Sequence, residues 1–364
     1  MNKQSLNILF LGASNPSTTT AQRAKALERI GCTVVHRDPW DFIYSSYFFR
    51  VSNPFHYRTG YRFIQSLLIK WVESAMKNLS VDLVWIDSGE LLGPSVLHEL
   101  KQLKCPIILY NNDNPTSARD GHRFDSLRNS VHLYDLCVVR SNVNLEQFVK
   151  FRPKSVMPAF MSYDEIVHSP FQDINQLDNE FRADVVFVGT HMDTEGRDIF
   201  ILKLINAGIS VNIWGDRWNK SQYFGVLKNY YRGGSIVGRN YTAALQGAKL
   251  CLGFVSKGNS DKHTRRSLEV PYAGSVLCAE RTEEHLAMYR DGEEAVFWNS
   301  VEECIEVCKD LLENENKREK IRRAGYKRVR QLEMGNESLC RRIIEVAFSQ
   351  NRPLIVPMNY PLYK

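Results

Sequence analysis

Lys257 to Trp298 reads KGNSDKHTRRSLEVPYAGSVLCAERTEEHLAMYRDGEEAVFW, and the order of residue types in it decides how the surrounding chain folds. A loop of charged and small residues comes first, then a short helix with Arg265 and Arg266 at its start and Gly274 at its close. A buried strand (SVLCA), a helix over Thr282–Tyr289, a turn at Asp291 and Gly292 and a last strand (EAVFW) complete the stretch. Strands alternating with helices build a parallel sheet, and such sheets bind ligands at the carboxyl ends of their strands. Arg265 and Arg266 would put fixed positive charge there, and Glu269, a turn further on, is a pure hydrogen-bond acceptor. The set suits a phosphorylated ligand with free hydroxyls. It suits equally a surface helix closed by an Arg265–Glu269 ion pair. Pro271 removes a helical N–H and disfavours helix at Val270, so this helix is expected to kink or to start late.

The stretch just upstream has the same grammar. Ala183 to Gly189 (ADVVFVG) is a buried strand ending in glycine, and THMDTEGRDIFILKLINAG continues as a loop and helix carrying His191 and Arg197. VNIWG, an aromatic and basic loop through Tyr231, a helix over Thr242–Ala248 and the strand LCLGFV lead into Lys257. Downstream, SVEECIEVCKDLL is an amphipathic helix with Val301, Cys304, Ile305 and Cys308 on one face. NKREKIRRAGYKRVRQ follows as a basic helix that either meets acidic phospholipid or is a solvated amphipathic helix, with Ile321, Ala324 and Val329 turned inward.

The first half opens in the same way, with NILFL (Asn7–Leu11), the small-residue loop GASNPSTTT, a helix over Ala21–Ile30 and a strand over Thr33–His36. The loop lacks G-x-G-x-x-G spacing and reads as a crevice wall or a plain connection. Asp38–Arg62 is rich in aromatic residues without a clean period; these either pack beneath a loop or offer faces to a sugar or a lipid-linked acceptor. The strand Asp82–Ile86 ends in DSGELLGP, placing Asp87 and Glu90 at its carboxyl end, and PIILY ends in NNDNP, placing Asp113 at the corresponding end of the next strand. Carboxylates at these positions could deprotonate an acceptor hydroxyl, or Asp113 could simply cap a turn. LCVVR (Leu136–Arg140) is a further strand.

With 364 residues the chain exceeds what one core usually serves, so two domains are expected. Net charge is +6, compatible with an anionic substrate or membrane surface and too weak to argue for nucleic acid. The apolar run near the amino terminus reads as a first strand, not a signal peptide, and no window reaches a membrane span, so a cytoplasmic protein is expected, with association at the inner membrane face through the basic helix as an option. The eight cysteines read as reduced thiols, and Cys304 and Cys308 as core residues; no metal site is expected.

Arg266-x-x-Glu269 with Gly274 five residues on, the strand, the acidic helix and DGEEAVFW resemble the C-terminal half of the CgeB-like (spore-maturation) glycosyltransferases, of GT-B fold. The resemblance spans about Ala183–Arg330. It implies that Glu269 holds the ribose of a nucleotide sugar and that Asp261, where related enzymes carry the first glutamate of an E-x7-E motif, approaches the sugar. It implies further donor contacts at Gly189 and Arg197, beside Arg265, Arg266 and Gly274.

The fold class expected is therefore α/β: two Rossmann-like doubly wound domains facing a cleft, with a C-terminal helix crossing back to the first domain. The boundaries are 1–165 for an acceptor-side domain, 166–182 for a linker, 183–335 for a nucleotide-sugar domain and 336–364 for the returning helix and tail. The activity expected is metal-independent transfer from a nucleoside-diphosphate sugar, with no tightly bound cofactor, to a glycan, lipid-linked or protein hydroxyl. Asp87, Glu90, Asp113 and His191 are the unranked candidate bases. A GT-B sugar-nucleotide epimerase and a non-catalytic binding or envelope protein are the alternatives.

Overall fold

The structure is a computed structural model describing residues 5–116, 120–259 and 261–357. Two compact units share the chain: Met1–Phe160 with Asn336–Asn359, and Met161–Gly335.

In the first unit, strands β1 (Asn7–Leu11), β2 (Thr33–Arg37), β3 (Leu83–Asp87), β4 (Ile107–Asn111), β5 (Leu136–Arg140) and β6 (Val156–Ala159) alternate with helices α1 (Thr19–Arg29), α2 (Pro39–Tyr44), α3 (Tyr47–Arg58), α4 (Gln65–Met76), α5 (Pro94–Leu100), α6 (Asp125–Ser130) and α7 (Ser141–Val149). The sheet is parallel, in the order β2-β1-β3-β4-β5-β6. β3 and β4 are buried along their whole length, as parallel strands covered on both faces must be. Side chains alternate between two cores. Leu9, Leu11, Val84 and Ile86 enter one, and Ile8, Phe10, Leu83 and Trp85 the other.

The second unit carries β7 (Ala183–Val188), β8 (Val211–Trp214), β9 (Tyr231–Gly233), β10 (Ala248–Gly253), β11 (Val276–Glu280) and β12 (Val296–Trp298), with helices α8 (Arg197–Asn206), α9 (Phe224–Leu227), α10 (Gly238–Gln246), α11 (Arg266–Tyr272), α12 (Glu283–Met288), α13 (Val301–Glu313) and α14 (Glu315–Gln331). Its parallel sheet runs β12-β11-β10-β7-β8-β9. Read from β9, that is the doubly wound Rossmann order, whose direction reverses between β7 and β10. The gap between the carboxyl ends of those two strands is the place where such sheets take ligands.

A last helix, α15 (Asn336–Phe348), belongs to the first unit. It inserts Leu339, Cys340, Ile343 and Ala347 beside α1 into the core that holds Phe10 and Trp85, and Arg29 pairs with Glu337 at 2.6 Å. The chain after it lies along β6, with Val156 N–H donating to the Leu354 carbonyl (2.7 Å) and Val356 N–H to the Val156 carbonyl (2.8 Å). Residues 358–364 of the expected tail lie outside the described residues.

Two expectations need correction. Residues 166–182 are not a free linker but part of the second unit, with Leu177 and Phe181 buried and the Phe171 backbone held at both ends by the Gln246 amide. The helix with Pro271 does not start late: α11 begins at Arg266, and the Ser267 carbonyl, whose partner would have been the missing N–H of Pro271, accepts the Tyr289 hydroxyl (2.8 Å).

Candidate functional site

At the strand reversal of the second unit, two arginines meet. Arg197 opens α8, which follows β7, and Arg266 opens α11, which follows β10. Each guanidinium carbon stands 5.8 Å from the centre of the Phe187 ring. Arg197 is buried, ion-paired with Glu195, and donates to the Thr190 carbonyl at 3.1 Å. Burial first, and Arg266 as a like charge, lower its pKa against the pull of Glu195. The Nε atoms of both Arg197 and Arg266 are buried without a protein partner, which leaves N–H donors for an anion. Glu280, ending β11, accepts from Val255 N–H at 3.1 Å and is raised above the usual carboxylate range by burial.

Glu269 lies one turn beyond Arg266 and is buried. Its Oε2 accepts the Tyr241 hydroxyl at 2.5 Å, and Nε2 of His168 stands 3.5 Å from its Oε1. Asp164 N–H donates to Nδ1 of His168 (2.8 Å), so in the neutral ring Nε2 carries the hydrogen and faces the carboxylate. Burial works to raise the Glu269 pKa, but His168, Arg265, the Tyr241 hydrogen bond and Arg266 outweigh it and the pKa is lowered. The group is a buried anion. No Arg265–Glu269 ion pair closes the helix: Arg265 is exposed, and the partners of Glu269 are Tyr241 and His168, which no sequence motif announced.

Ser267, between the two charged residues, fixes the start of α11. Its hydroxyl receives Thr264 N–H (3.0 Å) and meets Nε2 of His285 at 2.7 Å, while Nδ1 of His285 donates to the Glu280 carbonyl (2.6 Å). Burial depresses the pKa of His285 to about 4, so the ring is neutral.

The remaining expected residues divide sharply. Gly189 sits at the end of β7, donating to the Trp214 carbonyl (2.8 Å) and accepting Trp218 Nε1 (2.8 Å). A side chain there would strike the Phe187 ring, and one at Gly215 would come within 2.2 Å of the Gly189 oxygen, so the lip of the sheet is backbone alone. Asp261 lies in the loop before α11, its N–H bonded to the Ser256 carbonyl (3.0 Å). Gly274 is misplaced in the expectation. With φ +80° it ends α11 in the left-handed conformation, at the amino-terminal edge of the sheet and away from Arg266. Large open cavities do lie at that edge, of about 650 and 810 Å³, beside Gly247 and Lys249, but their charged groups Lys249 and Arg322 are paired with Asp184 and Glu319.

His191 is buried, with Nε2 3.2 Å from Asp198, whose carboxylate also takes the Ser221 hydroxyl (2.6 Å), and its ring lies beside Trp218. It pins the loop after β7 and is not offered as a base. Asp87 is likewise committed: both its oxygens are held by buried Arg23 (2.7 and 3.0 Å), and Thr20 adds a third bond (2.9 Å). Glu90 and Asp113 are brought together, Arg123 pairing with Glu90 and standing 3.9 Å from Asp113. Burial raises the pKa of Glu90, with Asp113 and Asp120 adding to it and Arg123 opposing.

Cys304 and Cys308 gain a partner that sequence spacing did not supply. Cys278 of β11 stands 4.0 Å from Cys304, and the three sulfurs, all buried, lie within 4.8 Å of one another. Among the described residues they are the one group of His, Cys, Asp and Glu close enough to ligate a metal. They sit in the apolar core of the second unit with Val296 and Trp298.

No curated protein matches the chain at a significant level. Three similar solved structures are Anabaena Alr3699/HepE in complex with UDP and glucose (13% identity, TM-score 0.61, 93% of this chain and 98% of that one), sucrose-phosphate synthase from Thermosynechococcus elongatus (12%, 0.66, 93% and 98%) and the UDP-forming α,α-trehalose-phosphate synthase of Burkholderia vietnamiensis (13%, 0.62, 94% and 97%). The chain thus has the GT-B fold that these structures share, and residues 197–336, the stretch bearing Arg197, Arg266 and Glu269, match the family described as Glycosyl transferase-like.

Proposed function

We propose that the protein is a glycosyltransferase that moves a sugar from a nucleoside-diphosphate sugar to an acceptor hydroxyl, with the donor held by the second unit. The observation that carries this reading is the pair Arg197 and Arg266 over Phe187 at the strand reversal, with the buried anion Glu269 one turn away. Glu195 answers one of these two like charges, and the second charge, with the unpartnered Nε–H of each guanidinium, calls for a further anion. A diphosphate supplies that anion, and its charge grows as the bond to the sugar breaks, so the same arginines stabilise the leaving group. Arg197 and Arg266 perform this neutralisation without a metal ion. Glu269 accepts from the ribose hydroxyls, and Asp261 reaches the sugar. In the first unit, Glu90 and Asp113 around Arg123 take the proton of the acceptor hydroxyl. Uridine diphosphate is the first nucleotide to test, since HepE was solved with it. The Arg266-x-x-Glu269 pattern and the DGEEAVFW turn favour the CgeB-like group within the fold.

A thermal-shift screen with uridine, guanosine and adenosine diphosphates tests the donor site. A ligand at a hundred times its Kd stabilises by about 2.7 kcal/mol. At least one diphosphate raises the melting temperature, and its sugar forms then give up the sugar to added acceptors and release the free nucleoside diphosphate, with or without a chelator. No shift with any nucleotide overturns the reading. Saturable binding without turnover moves the protein to the non-catalytic alternative.

A further inference from the structure

Between Asp41 and Glu73 the chain contains no acidic residue, yet it holds ten aromatic residues and Arg50, Arg58, Arg62 and Lys70. Part of this aromatic content packs inward as one sequence reading had it: Tyr61 is buried, and Trp40 sits edge-on to it at 5.7 Å. The rest does not. Tyr47, Phe48, Val51 and Phe55 on α3 are 79%, 68%, 63% and 53% exposed, and Phe63 just beyond is 56% exposed. Spacings of four and seven residues put the four helical positions on one stripe of α3. Phe63 extends the stripe, its ring stacked on Phe55 at 5.5 Å, and the guanidinium of Arg62 lies 4.6 Å from the Phe63 ring centre. Arg58 falls on the same stripe and is exposed, as are Arg50 and Lys70.

We propose that α3 and Phe63 form a membrane-docking surface, in which the aromatic stripe enters the headgroup region of an anionic bilayer while Arg58, Arg62 and neighbouring cations meet lipid phosphates. Large apolar side chains left in water at contiguous positions mark an interaction site. A stripe that combines aromatic rings with cations and excludes carboxylates matches a surface that is apolar beneath and negative above. No helix among the described residues is long and apolar enough to cross a membrane, so the contact is peripheral. The basic helix α14, the surface suggested by sequence, is a poorer candidate because none of the large apolar side chains exposed among the described residues lies on it, so its exposed cations Lys320, Arg323 and Lys327 have no apolar stripe beside them. The inference stands apart from the donor reading, since vesicle binding needs no nucleotide.

Flotation of the full chain with vesicles of phosphatidylcholine alone, or with phosphatidylglycerol added, tests it. Binding to the anionic vesicles that weakens as salt rises is expected. The double substitution Phe48→Ser and Phe55→Ser weakens that binding at least about tenfold. Arg58→Glu with Arg62→Glu abolishes it, whereas Lys320→Glu with Arg323→Glu on α14 leaves it unchanged. The substituted positions are exposed, and an unchanged melting temperature shows that each variant is folded. Absent vesicle binding, equal binding to neutral vesicles, or loss of binding only in the α14 variant overturns the proposal. So does a concentration-dependent dimer of the native chain that the Phe48 and Phe55 substitutions dissolve, because the stripe would then face a second copy.

Discussion

Replacing Glu269 with glutamine separates a ligand-binding carboxylate from a structural one. A carboxylate offers about four acceptor sites; the Tyr241 hydroxyl occupies one and His168 faces another, which leaves room for the two hydroxyls of a ribose. Glutamine has the same shape and keeps one oxygen for Tyr241, but it turns acceptor capacity into N–H donors and removes the charge. Losing one hydrogen bond to a charged acceptor costs about 1.5–3 kcal/mol, equivalent to roughly 10- to 150-fold in Kd. The stability of the unliganded protein should fall by less, since the Tyr241 hydroxyl still has an acceptor. Isothermal titration with the nucleotide that gives the largest thermal shift measures the first quantity, and calorimetric melting without ligand the second. A Kd unchanged within a factor of about two, together with a lowered melting temperature, would refute the reasoning: Glu269 would then serve only to anchor Tyr241 and His168.

Three further outcomes follow from the geometry. His285 has a folded pKa of about 4 against an ordinary value of 6.5, so the unfolded chain binds its proton more readily; this share of stability is complete above pH 6.5 and is lost as pH falls toward 4. It amounts to about 3 kcal/mol, and urea melts at stepped pH should show a slope between pH 6.5 and 4 that disappears in His285→Gln. Asp87→Ala leaves Arg23 buried and unpaired and should cost about 3–5 kcal/mol in denaturant melts; an unchanged midpoint would mean that the Asp87 carboxylate is not a structural group. Gly215→Ala, at φ +139° with its new carbon 2.2 Å from the Gly189 oxygen, should destabilise by at least about 2 kcal/mol and weaken nucleotide binding, checked by melting and titration together.

How much of this was legible depended on whether the relevant signal was local. Buried runs such as Leu83–Asp87 and Ile107–Asn111 announce themselves because parallel strands are apolar on both faces. β6 escaped notice because Pro158 reads as a strand breaker, yet the strand lies at the edge of the sheet, where a proline is tolerated. β9, three residues long, is too short to show any period. Within the site, Arg197, Arg266 and Glu269 could be picked out because each opens or follows the start of a helix after a strand. His168, Tyr241 and Arg123 could not, because their partners Glu269 and Glu90 are distant in sequence and only the fold brings them together. Gly274 was misjudged for a related reason. Proximity in sequence to Glu269 does not reveal that a helix carries the chain from one edge of the sheet to the other.

The position of α15 bears on how the chain is made. The first unit comes first along the chain, yet the face of its sheet that holds Phe10 and Trp85, partly covered by Ala24 and Leu27 of α1, is closed only when Leu339, Ile343 and Ala347 arrive. On the ribosome those residues emerge after the whole second unit has been synthesised. The half that begins first is therefore the one completed last, and until then it carries an apolar face in need of shielding. A transcript that stops after Gly335 would encode an intact second unit joined to a first unit that has never been closed.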